Sequence, residues 1–345
     1  MLPMNCSSRR SLLALAIASV SLAGALAGHA AAPAHPLLLV ANQGDATLSL
    51  VDPATNMQIA ALPEGVPKMF GHEVTTSPDG HFAYLPLYSD VGVGKVGTDG
   101  NVILIVDLAQ KKIADRIVFD HAVRPHCVLW EPHSGLLYVT TELDKAVTII
   151  DPRTKKIVGS VPTGEEQSHM LVLSHDGKRG YTANVGSGTV SVLDLESRKL
   201  ITRIPISTNT QRISITPDDR WVFTSDQVTP RLAVIDTKTN AIARWVDLPT
   251  PGYGGTVTRD GKLLLLTLMT GNQLAVLDLA TWKVVRTIPV GPKPQEVLLR
   301  PDGKVAYVSC EASHIVNVID TATWKVTGTI HVGEKADGMA WAAGN

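Results

Sequence analysis

The sequence predicts an all-β chain folded as a seven-bladed β-propeller with four-stranded antiparallel blades, and three observations predict it. An apolar residue followed by aspartate recurs seven times, at Val51-Asp52, Val106-Asp107, Ile150-Asp151, Leu193-Asp194, Ile235-Asp236, Leu277-Asp278 and Ile319-Asp320. The aspartates lie 55, 44, 43, 42, 42 and 42 residues apart, a period in the range of propellers and solenoids. Each unit carries four short segments with strand-like alternation, and no window sustains the 3.6-residue period of an amphipathic helix.

The unit over residues 171–206 shows the order of elements. An apolar strand leads to the turn Ser174-His175-Asp176-Gly177 and then to Tyr181-Thr182-Ala183-Asn184. A Gly-rich turn is followed by the alternating run Thr189-Val190-Ser191-Val192-Leu193-Asp194 and a last strand from Lys199 to Ile206. The chain after its first segment opens on a second strand, Leu37 to Asn42, and ends on a first strand, Ala336 to Trp341. The C-terminal strand is therefore expected to complete the N-terminal blade, which closes the ring and removes free edges. The seven aspartates recur in every unit, which marks them as structural turn residues.

Residues 1–32 read as a signal peptide. Arg9 and Arg10 precede an Ala/Leu-rich run and a string of small residues, and the hexad Ser8-Arg9-Arg10-Ser11-Leu12-Leu13 resembles a twin-arginine export signal. Residues 33–345 are then a single propeller domain destined for the periplasm or the outside. Losing Arg9 and Arg10 leaves 29 basic against 32 acidic residues. That balance, with a pI near 6.8 for the whole chain, lacks the basic footprint of a nucleic-acid binder. No membrane span is expected in the mature chain, and a monomer is. Cys127 and Cys310 fall on distant blades, so two free thiols are expected despite export.

Tyr181-Thr182-Ala183-Asn184, Tyr138-Val139-Thr140-Thr141 and Tyr307-Val308-Ser309-Cys310, each after a turn such as Pro301-Asp302-Gly303, resemble the YVTN-repeat β-propellers, including the exported YncE-like proteins. The resemblance covers the mature chain and implies the propeller superfamily of the lactonases and the cytochrome cd1 haem domain. That superfamily holds lactonases, lyases, redox subunits, surface-layer proteins and binding scaffolds, so it implies a fold and leaves the activity open.

Propellers bind ligands at the channel mouth, where the innermost strand of each blade begins. Counting back five residues from the residue before each first turn gives His72, His126, His169, Gln211, Tyr253 and Gln295, with Asp337 in the closing blade. The next position reads Glu73, Cys127, Met170, Arg212, Gly254, Glu296 and Gly338. Three histidines on successive blades suit one divalent transition metal, Zn, Mn, Fe, Cu or Ni, with Glu73 or Gln211 completing the shell. The alternatives are a metal-free histidine cluster, an anion or substrate site, and plain polar channel lining. Arg212 and Tyr253 are the expected catalytic residues, as a fixed cation and a phenol. Gln211, Gln295, Glu296 and Asp337 are the expected substrate contacts.

The insertion behind the 55-residue spacing, Ser89 to Gly100, falls between the second and third strands of the His72 blade. It is expected on the histidine face, either as a lid in which Tyr88, Asp90 and Lys95 cover a ligand or as a tolerated surface insertion. Arg124 and His121 read as solvated loop residues near the mouth, and Cys127 as a soft ligand or a small buried residue. No dinucleotide fingerprint, nucleophile elbow, His-Glu-x-x-His or Cys-x-x-Cys-His haem attachment occurs. The leading expectation is a metal-dependent lyase, or a hydrolase or oxidase, acting on a small carboxylate, uronate or lactone. The alternative is a noncatalytic scaffold for a ligand or protein partner.

Overall fold

The computed structural model describes Met1 and residues 32–344, so the expected export signal, apart from Met1 and Ala32, lies outside the described residues. Residues 32–344 form seven antiparallel sheets. The first is built of Leu37–Asn42, Thr47–Asp52 and Met57–Pro63, with Ala336–Ala342 paired to Leu37–Asn42 on its inner edge. The C-terminal strand thus closes the ring. Blades 2 to 7 span residues 70–118, 125–162, 168–205, 213–247, 255–289 and 294–331 in chain order. One short 3₁₀ turn, Glu311–Ser313, is the only helical element among the described residues, and none of their helices is long and apolar enough to cross a membrane.

Each aspartate of the repeat holds the turn between a third and a fourth strand. Asp52 accepts from the Ala54 N–H at 2.9 Å, Asp194 from Ser197 at 2.8 Å and Asp320 from Thr323 at 2.7 Å, with the same bond in the other four blades. Four residues after each aspartate the backbone is left-handed, at Asn56, Lys111, Lys155, Arg198, Asn240, Trp282 and Trp324. An Asx bond followed by one left-handed residue turns the chain without needing glycine.

Packing explains why the second and third strands read as almost unbroken apolar runs. In Leu37–Asn42, Leu37, Leu39 and Ala41 face blade 2, while Leu38 and Val40 face blade 7. Both faces of a blade are buried, so alternation here sorts residues between two cores and not between core and solvent. The outermost strands keep one wet face, as in Met57–Pro63. Cys127 and Cys310 are free and buried in this packing, and burial pushes the Cys127 thiol up to about 12.

Blade 2 departs from four continuous strands. Its inner strand is split into Phe70–Gly71 and Thr75–Thr76, both paired with Phe82–Ser89, and the gap carries His72 and Glu73. Beside the gap, buried Glu64 accepts from the Gly71 N–H at 3.0 Å while its Oε2 has no partner. A Cβ at residue 71 would lie 2.8 Å from Glu64 Oε1 and 2.6 Å from a Leu85 methyl, so only glycine fits. Burial raises the Glu64 pKa to about 8. Because the folded chain holds that proton more tightly than the unfolded chain, stability falls as pH rises from about 4.5 to about 8, by up to about 1.4 kcal/mol per unit. Glu64→Gln is expected to flatten thermal stability across that window and to raise the melting temperature at pH 8; an unchanged pH profile would contradict this.

Candidate functional site at the channel mouth

The inner strands do not deliver their first residues by plain alternation, because most begin with a β-bulge. In blade 3, Val128 pairs with Val139 and Pro125 with Thr141, leaving His126 and Cys127 opposite the single residue Thr140. His169, the Gln295-Glu296 pair and the Asp337-Gly338 pair stand at the same irregularity. A bulge re-aims side chains that regular pleating would send between the blades. The hydroxyl of the YVT motif repairs the ladder: Thr140 Oγ1 accepts from the Cys127 N–H at 2.9 Å and donates to the His169 carbonyl at 2.8 Å. Thr267 and Ser309 accept from Gly254 and Glu296 in the same way.

All seven residues of the expected ring, His72, His126, His169, Gln211, Tyr253, Gln295 and Asp337, line one cavity of about 560 Å³. Arg212 joins them from the next position, and Gly92 and Val93 of the blade 2 insertion reach the same cavity. One wall is imidazole. The His126 and His169 rings lie 3.5 Å apart at 31°, and His72 stands 5.3 Å from His126. Burial is the main cause holding all three below the usual histidine range, His72 at about 4, so they are neutral at pH 7. The facing wall is rich in amides, with Gln43, Asn209, Gln211, Gln227 and Gln295.

Beneath the cavity the second ring forms an ionic floor. Arg212 Nη1 donates to Glu73 Oε1, and Nη2 donates to Asp337 Oδ1 at 2.7 Å. Glu296 Oε2 accepts from the Met339 N–H. Burial raises both glutamates, Glu296 the more; the charge of Asp337 adds to the rise at Glu73, and that of Glu73 to the rise at Glu296. Tyr253 lies 5.0 Å from the Arg212 guanidinium, and burial raises its phenol to about 12.

Two family profiles match the sequence, the cytochrome D1 heme domain over residues 132–247 and the YNCE-like beta-propeller over residues 207–301. The fold is a seven-bladed β-propeller, and over residues 207–301 it is similar to the YncE-like propellers. No curated protein sequence matches it. Among solved structures, Kuenenia stuttgartiensis hydrazine synthase is similar with a TM-score of 0.68 at 16% identity, over 80% of this chain and 90% of that one. At that identity the likeness is one of fold.

Several residues sit differently from their sequence expectation. Glu73, expected beside the histidines, is bound to Arg212, and among the described residues no group of three or more His, Cys, Asp or Glu side chains is arranged to hold a metal ion. Arg212 has both terminal nitrogens engaged by carboxylates, so it organises the floor before it can act on a ligand. Glu296 lies in the floor and does not line the cavity. Tyr88 is no lid: it is fully buried, its ring 5.1 Å from His72, 5.1 Å from His126 and 5.6 Å from His169. Arg124 is likewise buried, donating to the Lys95 carbonyl at 2.7 Å and paired with Asp99, while His121 is exposed between Asp120 and Asp144.

Glu142 was not marked by the sequence motifs. It is buried, and its Oε2 accepts from the Tyr88 hydroxyl at 2.6 Å. Although burial opposes ionisation, His169, Tyr88 and Arg124 hold its carboxyl below the usual range. A signal for it existed. The residue after each second strand reads Gln43, Glu142, Gln227, Met269 and Glu311 in five of the blades, and four of these five line the cavity. Two residues before the ring, Arg124, Gln167, Lys293 and Lys335 are all left-handed, and Lys293 and Lys335 line the cavity too. Lys293 pairs with Glu311 at 2.7 Å, whereas Lys335 enters no ion pair among the described residues.

Proposed function

We propose that this propeller is exported and acts on a small polyhydroxylated carboxylate of the uronate or lactone class, by acid–base elimination in the channel-mouth cavity. The observation that carries the reading is the convergence of one equivalent residue from each of seven blades on a single 560 Å³ cavity, with neutral imidazoles facing amides. The volume lies within the range that takes small-molecule ligands. Amide side chains offer a donor and an acceptor each, which matches vicinal hydroxyls. Lys335, which lines the cavity and enters no ion pair among the described residues, suits the carboxylate.

In the elimination, a neutral imidazole takes the proton on the carbon next to the carboxylate. The C–H electron pair forms the C=C bond, and the C–O bond on the neighbouring carbon breaks. The departing oxygen takes a proton from the Tyr253 phenol, which is kept protonated by burial, and the imidazolium returns its proton to the phenolate through solvent. No electrons are gained or lost overall. Arg212 holds Glu73 and Asp337 in place beneath the reacting group and stabilises negative charge above it at longer range.

The test is turnover of a galacturonate disaccharide, followed by ultraviolet absorbance of the unsaturated product, with metal content measured on protein purified without a His-tag. Wild type is expected to turn over, and His169→Ala and Tyr253→Phe to lose about 10²–10⁴-fold in kcat. Binding without turnover would leave the cavity as the site of a noncatalytic scaffold. One equivalent of a transition metal lost in His126→Ala would replace the imidazole base by metal-assisted chemistry.

A further inference from the structure

Two of the three cavity histidines have a carboxylate beside Nδ1. Glu142 Oε2 lies 3.6 Å from His169 Nδ1, and Asp337 Oδ2 lies 3.8 Å from His72 Nδ1. Both carboxylates are themselves pinned. Glu142 accepts from Tyr88 at 2.6 Å and has Arg124 Nη1 3.7 Å from its other oxygen. Asp337 accepts from Arg212 at 2.7 Å and from Gln43. His126, between the two pairs, has a buried Nδ1 with no hydrogen-bond partner.

A neutral imidazole carries its proton on one nitrogen, and the neighbour of the other decides which. A lone pair on Nδ1 turned toward a carboxylate in a buried site is repelled, and an N–H is attracted. The plane of the His169 ring is held by packing, against His126 at 3.5 Å and Tyr88 at 5.6 Å. Its Nδ1 is buried with no other partner, so Glu142 is the group that sets its state.

We propose that Glu142 and Asp337 are positioning residues that fix His169 and His72 as Nδ1–H tautomers, which leaves the Nε2 lone pair of each free toward the cavity. His169 is then the base of the elimination, because Glu142 faces the imidazolium that forms, and His126 is its stacking neighbour. The assignment of the base rests on the acid–base reading of the cavity. The tautomers do not, as they belong to the resting protein.

The test is long-range proton–nitrogen correlation on ¹⁵N-histidine-labelled full-chain protein, which reports each ring nitrogen separately. The expected spectrum has His169 and His72 protonated at Nδ1 and bare at Nε2. In Glu142→Gln, His169 is expected to become a mixture of tautomers, and kcat on the galacturonate disaccharide to fall about 10- to 100-fold with KM unchanged. Glu142→Asp is expected to restore the Nδ1–H form. Wild-type His169 protonated at Nε2 overturns the proposal without any variant being needed, and so does an unchanged His169 spectrum in folded Glu142→Gln. Nδ1–H tautomers in a protein that turns over no uronate would sink the acid–base reading and leave the positioning intact.

Discussion

A chain ending at Lys335 is expected not to fold. Removing residues 336–345 takes away the strand that pairs with Leu37–Asn42 and uncovers Leu37, Leu38, Leu39 and Val40, each no more than 3% exposed. Burial of one such side chain is worth about 1.5–3 kcal/mol. Losing several approaches the whole stability of an ordinary domain, about 5–15 kcal/mol. The loss also opens an apolar strand edge that is prone to self-association. The measurement is cooperative thermal unfolding by circular dichroism, with residues 336–344 then supplied as a peptide. Loss of the transition and its return with the peptide is the expected pair of results, and a cooperative transition in the truncated chain alone would show that the ring does not depend on this closure.

Arg212→Met is expected to cost about 3–5 kcal/mol, the usual penalty for stripping the partner from a buried ion pair. Glu73, Asp337 and Glu296 would remain together at the channel axis with no cation among them. The defect has a pH signature with a defined sign. Loss of the guanidinium raises the Glu73 and Glu296 carboxyls further above their unfolded values, so the variant loses stability as pH rises and approaches wild type as the carboxyls protonate. Denaturant titration at several pH values measures it, and Arg212→Met/Glu73→Gln is expected to recover part of the loss at neutral pH. A pH-independent deficit would mean that the residue acts by packing alone.

The fold was legible because its signal is repeated seven times and is local. Each Asp turn needs only its own amide bond and one left-handed residue, so Asp52 and Asp320 look alike in sequence although they lie at opposite ends of the chain. The ring of His72, His126, His169, Gln211, Tyr253, Gln295 and Asp337 was legible for a related reason. Equal spacing from a repeated turn places equivalent residues at equal depth in the channel, and all seven line the cavity. Chemical roles within the ring were less legible. Glu73 and Arg212 stand in the same register of different blades, 139 residues apart, and only the ring geometry shows that they neutralise each other. Glu142 and Tyr88 lie on or just beyond second strands, one strand outward from the register that was read. Tyr88 looked like a lid because the glycine-rich insertion follows it, but the Phe82–Ser89 strand carries it inward beneath the histidines.

The central claim is that the channel-mouth cavity is a ligand site built on the three neutral histidines, and titration of ¹⁵N-histidine-labelled protein with galacturonate tests it most directly. His72, His126 and His169 are expected to shift saturably, while His133 and His175, in turns at the far end of the inner strands, stay in place. Unmoved cavity histidines at saturating ligand, or equal shifts at all five, would contradict it.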